Sequence, residues 1–228
     1  MAKEKSEKSA TGSIIVEILL RAKGNGMLQN PMSDETLEEL IGTKTKKAVV
    51  KDRPLKEIAH SRVLRENGET GKPGIKLEYI TACLVTAGRN VKIGKKQIST
   101  AETTTVFAFL DFKGATFFPF EPVDKTKFTK EDLEKLHPEG WIMDMRRGVL
   151  NGVGKKSAVG IVRPLFKHWQ IKLRVEINQS AVDGADESIV KQLFESAGTM
   201  VGLGDFRPSK RGPFGMFEIA DWQVVKSA

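Results

Sequence analysis

Trp169-Gln-Ile-Lys-Leu-Arg-Val-Glu-Ile177 alternates apolar and polar residues over nine positions. A period of two is the signature of a strand with one face in a core and one in water. Trp169, Ile171, Leu173, Val175 and Ile177 form the inward set. Gln170, Lys172, Arg174 and Glu176 form the outward set. Downstream, Ile189, Val190, Leu193, Phe194, Ala197 and Val201 recur at helical spacing, which predicts a helix over Asp183–Met200. Four glycines (Gly202, Gly204, Gly212, Gly215) then bracket Arg207, Lys210 and Arg211, and a last strand is predicted over Phe214–Val225.

Upstream the same rules give the remaining elements. Ser13–Leu20 is β-branched and apolar, and reads as a first buried strand. Ser33 is placed to cap a short helix through Ile41. Residues 42–74 read as a basic, partly ordered insertion, rich in lysine and broken by Gly68, Gly71, Pro73 and Gly74. Ile75–Asn90 carries Leu77, Ile80, Leu84 and Ala87 on one helical face, with Cys83 beside it as a small buried side chain. Strands are predicted over Thr103–Phe112 and Thr116–Phe120, with a turn at Lys113-Gly114. Thr129 with Asp132 forms a capping pattern for a helix ending before Pro138. Trp141–Val149 and Ser157–Val162 form a hairpin around residues 151–156.

With the insertions removed, the order is close to βαββαβ, an α+β, ferredoxin-like (RRM-like) plan. The expected organisation is a disordered tail at 1–12 and one domain over 13–228, with insertions at about 24–74 and 113–165.

The 228 residues carry a formal net charge of +8 and a pI near 9.5, which favours a partner rich in phosphates. No apolar run is long enough to span a membrane and no secretory leader is visible. With a lone cysteine, a cytoplasmic setting and no membrane partner are expected. The charge is uneven. From Arg146 to Arg174 there is no Asp or Glu, yet Arg146, Arg147, Lys155, Lys156, Arg163, Lys167, Lys172 and Arg174 all lie there. Cations on strands can track a phosphate backbone. Trp169 could stack on a base, although its place in the alternation fits the core better.

Enzyme motifs fail on spacing. Gly154-Lys155 lacks the glycine five residues earlier, and Lys156 stands where a P-loop needs Ser or Thr. Gly202-Leu-Gly204 lacks the third glycine of a dinucleotide fingerprint. No Cys/His cluster suits zinc, so neither metal nor cofactor is expected. His60, His137 and His168 are the candidate general acids or bases for ribonuclease-type chemistry.

A helix feeding G-L-G-D-F-R-P-S-K-R-G-P-F-G-M-F (202–217) and a terminal strand resembles the glycine-rich loop of the CRISPR RAMP superfamily. The chain is also similar to phage and prophage proteins that share Arg-Pro-x-Phe-x-x-Trp, here Arg163 to Trp169. They share Gly-x-Gly-x-aromatic-Arg-Pro, here Gly202 to Pro208, and Gly-x-aromatic-Gly-x-Phe, here Gly212 to Phe217. Gly202, Gly204, Arg207, Gly212 and Gly215 match the loop motif. The resemblance implies a ferredoxin-like fold with insertions and a protein that binds single-stranded DNA or RNA, polymerising along it as backbone subunits do. No early histidine takes a clear catalytic position, which favours binding over cleavage. The alternatives are a metal-independent endoribonuclease of the guide-RNA-processing type and a decoy acting on a host defence complex.

Overall fold

The computed structural model describes residues 12–31, 41–42, 53–152 and 155–227. The expected tail up to residue 11, the helix capped by Ser33 and the lysine-rich part of the insertion at 43–52 lie outside the described residues.

A four-stranded antiparallel sheet forms the centre. It contains β1 (Ser13–Ala22), β6 (Leu110–Asp111), β10 (Gln170–Asn178) and β11 (Phe217–Ser227) in the order β11-β1-β10-β6. Counting only these four, the spatial order is 4-1-3-2, the split βαβ arrangement of ferredoxin-like folds. The alternation at 169–177 sets this sheet. Val16 pairs with Val175, Ile18 with Leu173 and Leu20 with Ile171, and all six are buried. Each such side chain contributes about 1.5–3 kcal/mol on burial. Trp169 sits in the same core at 1% exposure.

Helices α2 (Leu77–Ala87) and α5 (Glu187–Ser196) supply Ile80, Cys83, Leu84, Val190, Leu193 and Phe194 to that core. Helix α5 starts four residues later than its periodicity predicts. Asp186 accepts a hydrogen bond from Ile189 N at 2.9 Å and fixes the first turn there. A π turn at Ala197–Val201 extends the helix, and Gly202 ends it. Helix α2 starts two residues late, because Gly74–Lys76 pair as β3 with β7 (Phe117–Pro119).

The strand expected over Thr103–Phe112 is reduced to β6. Val106–Phe109 is instead a helical turn, α3, that buries Val106 and Phe109 and leaves Phe107 outside. The threonine hydroxyls ahead of it bond locally: Thr100 Oγ1 accepts from Thr103 N at 3.0 Å, and Thr104 Oγ1 accepts from Val106 N at 3.2 Å. Side-chain bonding of this kind competes with a strand ladder. The strand at 116–120 forms as β7, but it pairs with β3 and not with the central sheet.

The hairpin is longer than expected, with β8 (Ile142–Gly152) against β9 (Lys155–Phe166). Strand β2 (Met27–Leu28) adds to β9's other edge. Helix α1 (Leu55–His60) packs on this hairpin, and α4 (Lys130–Lys135) is capped by Thr129 as predicted. A small hairpin, β4 (Lys92–Ile93) and β5 (Lys96–Gln97), follows α2. Buried Gln29 joins distant segments: its Nε2 donates to Gly74 O and its Oε1 accepts from Leu64 N, both at 2.8 Å.

Candidate nucleic-acid interface

The cations of 146–174 do not form one surface. On the outer face of β10, Lys172 Nζ lies 3.3 Å from Glu121 and Arg174 Nη1 lies 4.0 Å from Glu17 of β1. Arg21 pairs with Glu218 of β11, and Lys113 pairs with Glu176. Acids from outside the window thus meet part of its charge. Lys167 Nζ contacts both Asp132 carboxylate oxygens at 2.7 Å, and this holds the Asp132 carboxyl below the usual carboxylate range. Lys155 and Lys156 lie at the hairpin tip, where only the backbone is described.

Arg163 is 4% exposed. Its Nη1 donates to Asp205 at 2.8 Å, and its Nη2 lies 3.6 Å from Asp144. One guanidinium therefore joins β9, β8 and the glycine-rich segment. It is a structural link, out of a ligand's reach.

The glycine-rich segment folds on itself. Gly215 has φ +77°, and a Cβ there would lie 1.8 Å from Leu203 O. Leu203 N donates to Gly215 O, Gly215 N to Gly26 O and Asp205 N to Leu28 O. Gly202, Gly212 and Gly215 are buried and Gly204 is half-buried, so the glycines serve this closure. The cations point elsewhere. Arg207 Nη1 donates to Gly204 O at 2.7 Å and its Nε to Ser209 Oγ, which braces a half-buried guanidinium. Lys210 and Arg211 are exposed, with Arg211 at φ +61°. Phe206, at φ +48°, is 38% exposed. A bulky residue in that region is an outlier, and such strain concentrates at functional sites.

The hairpin and this loop meet at Arg146. Its guanidinium carbon lies 4.6 Å from the Phe214 ring centroid, and its Nε bonds Asp144. Beside it runs an open groove of about 630 Å³ between α1 and the hairpin, lined by Leu55, Ile58, Arg62, Met145, Arg147 and Val162 among others. Met145 and Leu55 are exposed. Arg62 donates to Val162 O; burial, and then the nearby Arg163, push its pKa below the ordinary value.

Two of the three candidate histidines come together. His60 and His137 ring centroids are 5.7 Å apart, and His137 stacks on Trp141 at 4.2 Å. Glu139 Oε2 lies 3.6 Å from His60 Nε2 and 3.4 Å from His137 Nδ1, and it accepts from Arg65 Nη2 at 2.7 Å. Burial lowers the His137 pKa, and the bond from Arg65 holds the Glu139 carboxyl low. His168 stands apart, edge-on to Phe128, with its pKa lowered by burial and by Lys167. Cys83 is a core residue whose thiol burial pushes up to about 12. Among the described residues no group of three His, Cys, Asp or Glu side chains could hold a metal ion.

Sequence reasoning missed Arg62, which sits outside the acid-free window. It also missed a second acid-free window, Tyr79 to Ala101, which carries Arg89, Lys92, Lys95 and Lys96. The same count of acids would have found it.

No protein-family model matches the chain, and no curated protein matches it. Among solved structures, it is similar to a chain in a cryo-EM structure of the Type III-B Cmr-beta bound to cognate target RNA. The identity is 13% and the TM-score 0.42, over 94% of this chain and 61% of that one. The protein thus spans about three fifths of that chain's length. Likeness at this level is too low to transfer a function, so the reading below rests on the chain's own residues. Among the described residues, no helix is long and apolar enough to cross a membrane.

Proposed function

We propose that the protein binds single-stranded nucleic acid along the groove between α1 and the β8–β9 hairpin and past the glycine-rich segment. The observation that carries this is Arg62, Arg146 and Arg147 around an apolar groove, next to a loop that bears Arg207, Lys210 and Arg211. Guanidinium groups take phosphates bidentately, and exposed Phe206, Met145 and Leu55 offer apolar surface to unstacked bases. Affinity would be mainly electrostatic, with weak sequence readout. Polymerisation along the strand belongs to the same reading and would appear as cooperative binding.

Fluorescence anisotropy with labelled single-stranded DNA and RNA at 50 and 200 mM salt tests it. Arg146→Ala with Arg147→Ala should weaken binding and reduce the salt slope by about 1.4, for two phosphate contacts. Absence of binding to either nucleic acid at 50 mM salt would refute the reading.

The His60–His137 pair supports a second reading as a metal-independent endoribonuclease. One imidazole would take the proton of an RNA 2′-hydroxyl as it attacks phosphorus, and the other would protonate the leaving 5′-oxygen. RNA cleavage in EDTA that disappears in His60→Ala and in His137→Ala is the expected result. Intact RNA after prolonged incubation would dismiss it.

A further inference from the structure

Helix α2 ends in a run of cations that the groove does not use. Arg89, Lys92, Lys95 and Lys96 fall within eight residues around a two-residue turn at Gly94-Lys95, and all four are exposed. Several cations elsewhere are neutralised. Lys172, Arg174, Lys167, Arg163, Arg21, Lys113 and Lys191 each have an acidic partner. These four have none among the described residues. The neighbouring loop, brought close where Gly184 meets Ile93, carries Asp183 and Asp186. Asp186 caps α5, and neither pairs with the hairpin. Glu102, in the loop that follows the hairpin, forms no ion pair with it either.

The cations are held, not trailing. Val91, Ile98 and Ser99 are buried at the hairpin's base. Gln97 Nε2 donates to Arg89 O at 2.7 Å, Ile98 N donates to Val91 O at 3.0 Å, and Ser99 Oγ lies 2.8 Å from Thr104 Oγ1. Complementing the α2 dipole accounts for cations within the helix's last turn, but not for Lys95 and Lys96 at the hairpin tip. The cross-strand pairs are Lys92 with Gln97 and Ile93 with Lys96, so no two of these cations are directly opposed. Together they raise the positive potential around the hairpin, which attracts a polyanion.

The hairpin also lies apart from the groove. It packs near the loop that follows the C-terminal end of β10, whereas the glycine-rich segment leads into β11 beside the N-terminal end of β10. Nine residues of β10 separate the two ends, roughly 30 Å of strand.

We infer that the β4–β5 hairpin, with Arg89, Lys92, Lys95 and Lys96, is a second and separate site for a phosphodiester backbone. A strand long enough to run from one end of the sheet to the other engages both surfaces. This goes beyond the groove reading, and the hairpin does not require the groove to bind.

The test compares the wild type, Lys92→Ala/Lys95→Ala/Lys96→Ala and Arg146→Ala/Arg147→Ala, using labelled single-stranded RNA and DNA of 8 and 30 nucleotides across a salt series. Unchanged circular dichroism and melting check that the exposed lysine changes leave the fold intact, and Lys→Arg changes at the same positions should retain binding. The hairpin variant should bind the 30-mer about tenfold or more weakly, with the salt slope reduced by about 2, since three single-strand contacts at about 0.7 each are lost. Its 8-mer affinity should fall by less than twofold when the groove alone holds the short strand. Wild-type 30-mer affinity and slope in the hairpin variant would overturn this inference and leave the groove standing. Loss in the hairpin variant with none in the arginine variant would support the hairpin and remove the groove. No binding of any oligonucleotide by the wild type at low salt would overturn both.

Discussion

Asp205→Asn removes one charge from the link between the hairpin and the glycine-rich segment while keeping a side chain of the same shape. Among the described residues it leaves Arg163, 4% exposed, with Asp144 at 3.6 Å as its one carboxylate partner. Breaking a fully buried ion pair on one side costs about 3–5 kcal/mol. Here the Asp205 side chain is 38% exposed and water screens it, and Asp144 remains, so the expected cost is about 2 kcal/mol. For a chain of this size that lowers Tm by about 4–8 °C. Urea unfolding at pH 7 reads the loss as a lower midpoint at constant m-value. Adding Arg163→Met should recover part of it, because the stranded cation is then gone. A stability for Asp205→Asn within 0.5 kcal/mol of wild type would refute the claim that Arg163 depends on this carboxylate. Refutation would also follow if the double variant were as unstable as the sum of the two single ones.

Gly215→Ala should cost about 3 kcal/mol or more, since φ is +77° and the new Cβ meets Leu203 O, while Gly114→Ala, at φ +75° with nothing within 4 Å, should cost only about 1–2 kcal/mol. Equal costs in urea titrations would remove the crowding argument. His137 and His168 have pKa values lowered by burial, so the unfolded chain takes up protons first. Their contribution is complete above the unfolded value near 6.5 and is lost as pH falls through the lowered folded values. The urea midpoint should drop between pH 7.5 and 5.5, and His137→Gln should flatten that drop; an unchanged slope would count against it. Cys83, buried with its thiol pushed up to about 12, should resist iodoacetamide at pH 8 in the folded protein and react after unfolding in urea. Rapid labelling of the native state would contradict its core placement.

The central sheet was legible where periodicity was strong. The alternation at 169–177 and the apolar run at 13–20 became the two middle strands, because every second side chain has a buried partner across the pair. Thr103–Phe112 misled for a physical reason: the threonines satisfy their hydroxyls locally, and burial of Val106 with Phe109 follows a helical turn. The site was harder to read because charge compensation is non-local. Lys172 meets an acid 51 residues away, and Arg21 meets one 197 residues away. A window free of acids says nothing about the acids that strand pairing brings beside it. The glycine-rich segment was recognised, but its glycines proved to close the loop, while Phe206, Lys210 and Arg211 are the parts it offers to solvent.

The Gln29 amide has a consequence for the region before β3. Its donor and acceptor are both used inside the molecule, one at Gly74 of β3 and one at Leu64, within the irregular stretch that runs from α1 to β3. A glutamate there would lose the donor, and a leucine would strand a peptide N–H and a carbonyl in apolar surroundings. A shortened chain without residues 53–76 would leave that amide without either partner and remove the α1 wall of the groove. Residues 61–74 are therefore a structural member, and trimming them should yield an insoluble product in place of a smaller working protein.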